Sequence, residues 1–263
     1  MITQAFVQQN MGMPISVHLR GPAPDSAAAR TAVAEVFEQL RLADRVFSLY
    51  RPDSDLSRLT RGEIRLADCH PDLAEVARLC EQAVDLTGGR FDPHLPGPDG
   101  VRRWDPTGLV KGWAVQRAAQ VLTTLAGHDH CVNAGGDVTA GRQRDDTPLW
   151  RIGIEDPSDR SRLLDVAELS TGAVATSGTA ARGSHLLDPV TGRPVTDLLS
   201  VTVTGPSLLW ADVQATAAFA AGPGAVQWLA GLADHSGLVV DAAGTVTRVR
   251  WVRAAIIGAT NVG

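Results

Sequence analysis

Hydrophobic residues recur every three or four positions in several stretches of the chain, the spacing that gives a helix one buried face. After the Pro- and Gly-rich break at residues 21–24, Asp25 or Ser26 can cap a helix that runs to about residue 50. A second helix should begin at Pro71 and stop at Gly88, because Pro suits a first helical turn and Gly the position beyond the last one. Further helices are predicted from residue 111, after a cap at Ser207, and over residues 225–232.

Alternating hydrophobic and polar positions, with many β-branched residues, predict strands between these helices. Residues 47–60 are polar and predict an irregular segment, and two glycines interrupt the strand predicted at 131–138. The pattern as a whole indicates an α+β fold with mixed, mostly antiparallel sheets. The predicted strands are residues 14–19, 131–138, 150–155, 163–169, 173–176, 198–204, 237–241 and 246–252.

Composition narrows the class of protein without naming a function. The 263 residues are 44% hydrophobic and carry a net charge of −5 with no block of like charge, so a nucleic-acid partner is not expected. The three cysteines have no metal-binding spacing, and buried reduced thiols are expected. The first ten residues do not resemble a secretion signal, and no apolar run would span a bilayer. We therefore expect a cytoplasmic protein that does not insert into membranes.

The segment from Trp104 to Leu122 holds the first candidate chemistry. It places Asp105 before a proline and Gly108 in a bare turn, and it has Lys111 where a helix is predicted to open. An acid, a bare turn and a lysine at a helix start suit a phosphate-bearing ligand, since free N–H groups and the helix dipole lie there. The glycine spacing fits neither a P-loop nor a dinucleotide fingerprint. Taken on their own, the residues favour the simpler interpretation, a tight loop, a capped helix and a solvated lysine.

Three other sets of residues each allow two interpretations. Asp212 and Thr216 lie four apart on one helix and offer hard oxygens that suit Mg²⁺, or they are a surface acid and a hydroxyl bonded to the preceding turn. His185 is a general base or a hydrogen-bonded structural histidine. The two glycines at residues 135–136 bring backbone N–H groups against phosphate, or form a bulge.

Eight short segments, taken in order, resemble the ApbE family of FAD-dependent protein FMN transferases. They span about nine-tenths of the chain, and eight matches in order are far more specific than any single motif. The segments are NMGM at 10–13, FSLY…SDLSR at 47–58, GGRFDP at 88–93, D..G..KGWA at 105–114, VNAGGD at 132–137, ATSG at 175–178, HLLDPVTGRP at 185–194 and ADVQAT at 211–216.

The resemblance implies one domain over residues 1–263, built of two packed lobes with a flavin cleft between them. It implies Mg²⁺ held by the Gly108 carbonyl, Asp212 and Thr216, and a catalytic role for His185. It also implies transfer of FMN from FAD to a threonine hydroxyl of an acceptor protein, with release of AMP. The residues implied around FAD are Met11, Tyr50, Arg90, Phe91, Asp92, Asp105, Lys111 and Leu187.

Two other activities fit the same residues. One is a Mg²⁺-dependent FAD pyrophosphatase that yields FMN and AMP, in which water replaces the acceptor threonine. The other is a flavin-binding module that holds FAD without turning it over.

Overall fold

An antiparallel sheet of eight strands is the largest element of the computed structural model, which describes residues 2–94, 100–179, 189 and 194–251. The strand order is β1-β2-β3-β4-β7-β8-β9-β10, and β5 and β6 form a separate antiparallel pair. The strands are β1 Ile2–Asn10, β2 Met13–Gly21, β3 Asp129–Ala134, β4 Asp137–Gly141, β5 Trp150–Asp156, β6 Asp159–Leu169, β7 Gly172–Gly178, β8 Leu198–Gly205, β9 Ser236–Asp241 and β10 Val246–Val249.

Helices cover one face of this sheet. The helix Leu208–Ala220 (α5) packs on β7 and β8, and the helix Thr107–Ala119 (α4) lies between α5 and the helix Ala27–Phe47 (α1). Alternate residues of a strand point to opposite faces, and Val132, Ala173 and Ala175 belong to the core shared with the helices. The helices are α1 Ala27–Phe47, α2 Asp55–Thr60, α3 Pro71–Thr87, α4 Thr107–Ala119, α5 Leu208–Ala220 and α6 Ala225–Gly231.

The β5–β6 pair covers the other face. Cys131 and Val174, the sequence neighbours of sheet residues on the helical side, pack with Trp150 and Leu169 of the pair in a second core. The sheet is therefore buried on both faces here, and its residues are hydrophobic on both sides. The α+β class and the antiparallel pairing are confirmed, while the division into two lobes stays a prediction.

Local sequence signals explain the helix ends. The Ser26 and Ser207 hydroxyls accept hydrogen bonds from the first turns of α1 and α5, and Pro71 opens α3. Gly88 ends α3 in the left-handed conformation (φ 55°) that glycine adopts most readily. These predicted boundaries are confirmed. Within the described residues, no helix has both the length and the apolar character to cross a membrane.

Several sequence predictions about local structure were wrong. Helix α4 begins at Thr107 rather than Lys111, because the Asp105 carboxylate accepts a hydrogen bond from the Thr107 N–H (2.9 Å) and starts the helix earlier. The irregular segment contains α2, capped by Ser54, and the glycine-interrupted strand is a hairpin of β3 and β4. Strand β1 was not predicted. Of the cysteines, Cys80 and Cys131 are buried, but Cys69 is only partly buried.

Candidate active site

Two tight hairpin turns lie side by side at one end of the strands of the large sheet. Met11 and Gly12 join β1 to β2 with φ of 50° and 72°, and Gly135 and Gly136 join β3 to β4 with φ of 62° and 101°. Two-residue hairpin turns with positive φ at both positions match the twist of the strands, which explains the glycines. A Cβ on Gly135 would lie 3.0 Å from the Met13 sulfur, so the turns are in contact. The bulge interpretation of residues 135–136 is wrong.

Beside these turns, Lys111 contacts two buried acids. Asp137 opens β4 directly after the glycine turn, and its Oδ2 forms an ion pair with Lys111 Nζ. Asp212 Oδ2 of α5 lies 3.7 Å from the same nitrogen. The two acid side chains are only 2% and 5% exposed and that of Lys111 is 23% exposed. The surface interpretation of Asp212 and the solvated interpretation of Lys111 are therefore both wrong.

The close approach of α4 to α5 depends on Gly112. A Cβ at this position would lie 3.0 Å from the Leu208 carbonyl oxygen and 3.1 Å from Asp212 Cβ. With no side chain at residue 112, the two helices come near enough for neighbouring Lys111 to reach Asp212. Helix α5 is otherwise almost wholly buried and apolar, so a buried acid in it is the kind of exception that marks a functional site.

Lys111, Asp137, Asp212 and Thr216 form one cluster, and strand β7 is bonded to it by two hydrogen bonds. The Thr176 N–H donates to Asp137 Oδ1 (3.0 Å), and the Ser177 hydroxyl lies 3.2 Å from the Thr216 hydroxyl. Thr216 is one helical turn beyond Asp212, so both side chains lie on the same face of α5. Ser177 lies within β7, and its hydroxyl bonds to Thr216 rather than to a histidine or other base among the described residues.

The start of α4 brings three more of the predicted residues together. The Asp105 carboxylate accepts the Thr107 N–H at the start of the helix, and the Asp105 N–H donates to the Pro93 carbonyl (2.7 Å). A Cβ on Gly108 would lie 3.5 Å from the ring of Phe91, which is buried and whose N–H donates to Thr87 Oγ1 (3.0 Å). The loop after α3 and the first turn of α4 therefore form one packed unit.

The remaining predicted residues have other surroundings. Arg90 stacks over Trp228 of α6 at 5.5 Å from the ring centre, and Asp92 pairs with Arg102. Tyr50 is 99% exposed, so its ring is open to solvent. His185 and Leu187 lie outside the described residues.

The donor set suits a hard divalent cation. Asp212, Thr216 and the Gly108 carbonyl offer only oxygen atoms, and a helical carbonyl bonded to the residue four positions on keeps a second lone pair. In the part of the chain that the structure describes, no group of three or more His, Cys, Asp or Glu has a metal-binding arrangement. Mg²⁺ commonly keeps several waters and binds substrate phosphates, so a few protein oxygens suffice to hold it.

A cavity of about 250 Å³ lies next to the Pro93 carbonyl that bonds to Asp105. Its walls are mainly apolar and include Leu59, Trp104 and Cys80. Burial raises the pKa of the Cys80 thiol to about 12, so this thiol stays protonated at neutral pH and is not a nucleophile.

Sequence reasoning gave no individual role to Asp137, which the structure puts in contact with Lys111. The only local signal was its place after two glycines in the VNAGGD segment. The Lys111 contact joins residues 26 positions apart along the chain on separate elements, which no short-range pattern reveals.

A sequence model of the ApbE family matches residues 11–97 and 99–258. The chain belongs to the ApbE family. It is 36% identical to the FAD:protein FMN transferase of Vibrio cholerae over 268 aligned residues, covering 76% of this chain and 80% of that protein. It is 30% identical to the enzyme of the same name from Haemophilus influenzae, covering 81% of this chain and 79% of that one.

Solved structures of ApbE proteins share the fold. The ApbE protein of Thermotoga maritima superposes with a TM-score of 0.81 at 22% identity, over 95% of this chain and 97% of that one. The flavin transferase ApbE of Vibrio cholerae gives a TM-score of 0.76 at 23% identity, over the same shares. The family model and the two relatives confirm the predicted family and the predicted enzyme class, FAD:protein FMN transferase.

Proposed function

We propose that this ApbE protein moves FMN from FAD to a threonine hydroxyl of an acceptor protein, with the help of Mg²⁺. The threonine oxygen forms a bond to the FMN phosphorus while the bond from that phosphorus to the bridging oxygen breaks. AMP leaves with the bridging oxygen, and the threonine proton passes to a base. One observation carries the proposal. Lys111 and the buried acid Asp212 meet beside Thr216, at the end of the sheet where the two glycine-containing turns lie.

FAD is proposed to bind across the end of the sheet that carries these two turns. The turn of Gly135 and Gly136 brings backbone without side-chain cover close to Asp137, and Phe91 and Asp105 shape the start of α4. Tyr50 offers an exposed ring on which a flat heterocycle can stack. The proposed contacts to FAD are those of Met11, Tyr50, Arg90, Phe91, Asp92, Asp105, Lys111 and Leu187.

Mg²⁺ is proposed to be held by Asp212, Thr216 and the Gly108 carbonyl. When bound, the ion would supply charge neutralisation at the pyrophosphate and the departing phosphate.

The chain's own residues provide the rest of the chemistry. The Lys111 ammonium, on a helix packed against the core, gives a fixed positive charge toward the phosphates. The Ser177 hydroxyl orients that of Thr216, because the two are within hydrogen-bonding distance. His185, outside the described residues, is proposed as the base that takes the threonine proton.

The test is a transfer assay with the soluble proteins of the source cells. The chain, FAD and Mg²⁺ are added, and covalent flavin is detected by fluorescence after denaturing electrophoresis and mapped by mass spectrometry. We expect flavin on a threonine, loss of labelling with a chelator, and no labelling with Asp212→Asn. Free FMN and AMP without a labelled protein would instead establish the pyrophosphatase, and unchanged FAD would establish a binding module.

A replacement of the mapped threonine by alanine in the acceptor serves as the matched control. It removes only the attacking oxygen, so labelling should disappear while the acceptor remains folded. Labelling that persists on this acceptor would contradict transfer to threonine.

A further inference from the structure

The chain has 24 lysines and arginines in all, and Lys111 is its one lysine. A lysine ammonium is a compact point charge on a flexible stem, whereas a guanidinium is a wide, planar fork. At this one site the chain therefore has a cation small enough to sit between two acids, with contacts to both Asp137 and Asp212.

Both oxygens of Asp137 are committed within the protein. Oδ1 accepts the Thr176 N–H at 3.0 Å, and Oδ2 forms the ion pair with Lys111. The backbone of β7 fixes this carboxylate, and the carboxylate in turn fixes the ammonium. Asp137 thus acts on the site through Lys111.

We infer that Asp137 is a positioning residue that holds Lys111 beside Asp212, where the ammonium stands in for the divalent cation until a nucleotide arrives. The inference rests on the proposed function and adds to it a coupling between cation binding and nucleotide binding. Buried carboxylates need a nearby positive charge, and Lys111 supplies one to both acids when no cation is present.

The geometry makes the two ligands depend on each other. A divalent ion at Asp212 would be repelled by an ammonium nitrogen 3.7 Å from the same oxygen. An arriving pyrophosphate gives Lys111 a new anionic partner, so that Asp212 can turn to the cation. Cation and nucleotide therefore bind cooperatively, and each raises the affinity of the other by the same factor.

The first experiment measures Mn²⁺ affinity, by calorimetry or by electron paramagnetic resonance of free Mn²⁺, with and without FAD. The wild-type protein should bind Mn²⁺ weakly alone and more tightly with FAD. Lys111→Met keeps the stem and removes the charge, so it should tighten Mn²⁺ binding without FAD by about tenfold or more and reduce the effect of FAD. Arg65→Met, at a side chain that is 84% exposed, is the charge-matched control and should change neither value.

Asp137→Asn separates a positioning residue from a metal ligand. In the wild-type background it should weaken Mn²⁺ binding, because Lys111 loses its Asp137 partner and pairs more closely with Asp212. In the Lys111→Met background its effect should be clearly smaller, since the residue through which Asp137 acts is gone. An equal or larger loss in that background would make Asp137 a ligand and overturn the inference.

The single lysine also allows a direct spectroscopic readout. Protein labelled with ¹³C and ¹⁵N in lysine gives one side-chain ammonium signal, which belongs to Lys111. We expect Asp137→Asn to move it, Mg²⁺ alone to move it little, and FAD with Mg²⁺ to move it fully. A chemical shift that changes neither with the substitution nor with FAD would overturn the inference.

The outcomes distinguish this inference from the proposed function. Equal Mn²⁺ affinities of the wild type and Lys111→Met, together with flavin transfer by the wild-type protein, would remove the stand-in role and leave the function. Absence of Mn²⁺ binding in every protein, even with FAD, would remove the proposed cation site and the inference with it.

Discussion

Replacement of Gly112 by alanine tests whether the approach of α4 to α5 sets up the active site. The added methyl group would lie 3.1 Å from Asp212 Cβ and 3.0 Å from the Leu208 carbonyl oxygen. Carbon atoms in good contact are about 3.5–4.0 Å apart, so Asp212 would have to retreat by a few tenths of an ångström. Neither neighbour is the free end of a flexible side chain, so the helices themselves must separate.

Stability and activity should respond differently. Alanine favours a helix over glycine by about 1 kcal/mol, while overpacking costs about 1–3 kcal/mol. The free energy of unfolding should therefore fall by only about 0–2 kcal/mol. A displacement of Asp212 relative to Lys111, by contrast, should lower the rate of FMN transfer by roughly 3- to 10-fold, since a full displacement of about 1 Å can cost about 100-fold.

The assay compares the transfer rate and the thermal unfolding midpoint of Gly112→Ala with those of Gly231→Ala. A Cβ on Gly231, the last residue of α6, meets nothing within 4 Å. This control should keep the wild-type rate, with an unchanged or slightly higher midpoint. Full activity in Gly112→Ala would refute the reasoning, as would an activity loss explained entirely by unfolding at the assay temperature.

Three further predictions concern one residue each. Ser177→Ala removes the hydrogen bond to Thr216, so it should lower transfer about tenfold and raise the Mg²⁺ concentration needed for half-maximal rate; an unchanged Mg²⁺ titration would contradict this. Burial lowers the pKa of His130 to about 4, so unfolded chains take up this proton below about pH 6.5 and folded chains do not. The free energy of unfolding should therefore fall by about 3 kcal/mol as pH drops from 6.5 to 4, and chemical denaturation of His130→Gln should lack that part of the loss. Arg248→Met leaves the fully buried Asp165 without its 2.6 Å partner and should cost about 3–5 kcal/mol in denaturant melts. The exposed Arg160→Met should leave the midpoint unchanged, and equal effects of the two would contradict the burial argument.

Elements whose boundaries are set by their own residues were predictable from the sequence. Ser26, Ser207 and Pro71 act on the first turn of their own helices, and Gly88 acts on the last turn of α3. Strand β1 escaped prediction because it is the edge strand of the sheet. Most of its residues are exposed, so its hydrophobic pattern is weak.

Part of the candidate site was predictable and part was not. The spacing of Asp212 and Thr216 puts them on one helix face whatever the rest of the fold does. Lys111 pairs with Asp137 only because α4 packs against α5 and the end of the sheet at this point. The same packing requires residue 112 to have no side chain. Contacts of this kind are set by tertiary packing, which a pattern of hydrophobic and polar positions does not contain.

Diffraction from a crystal grown with FAD and Mn²⁺ tests the central claim most directly, because the anomalous signal of manganese locates the ion without reference to any other atom. We predict the ion at Asp212 and Thr216, against the pyrophosphate of FAD, with the Lys111 ammonium moved from the two acids toward the phosphates. An ion and a dinucleotide bound elsewhere, with Lys111 still between Asp137 and Asp212, would contradict the account.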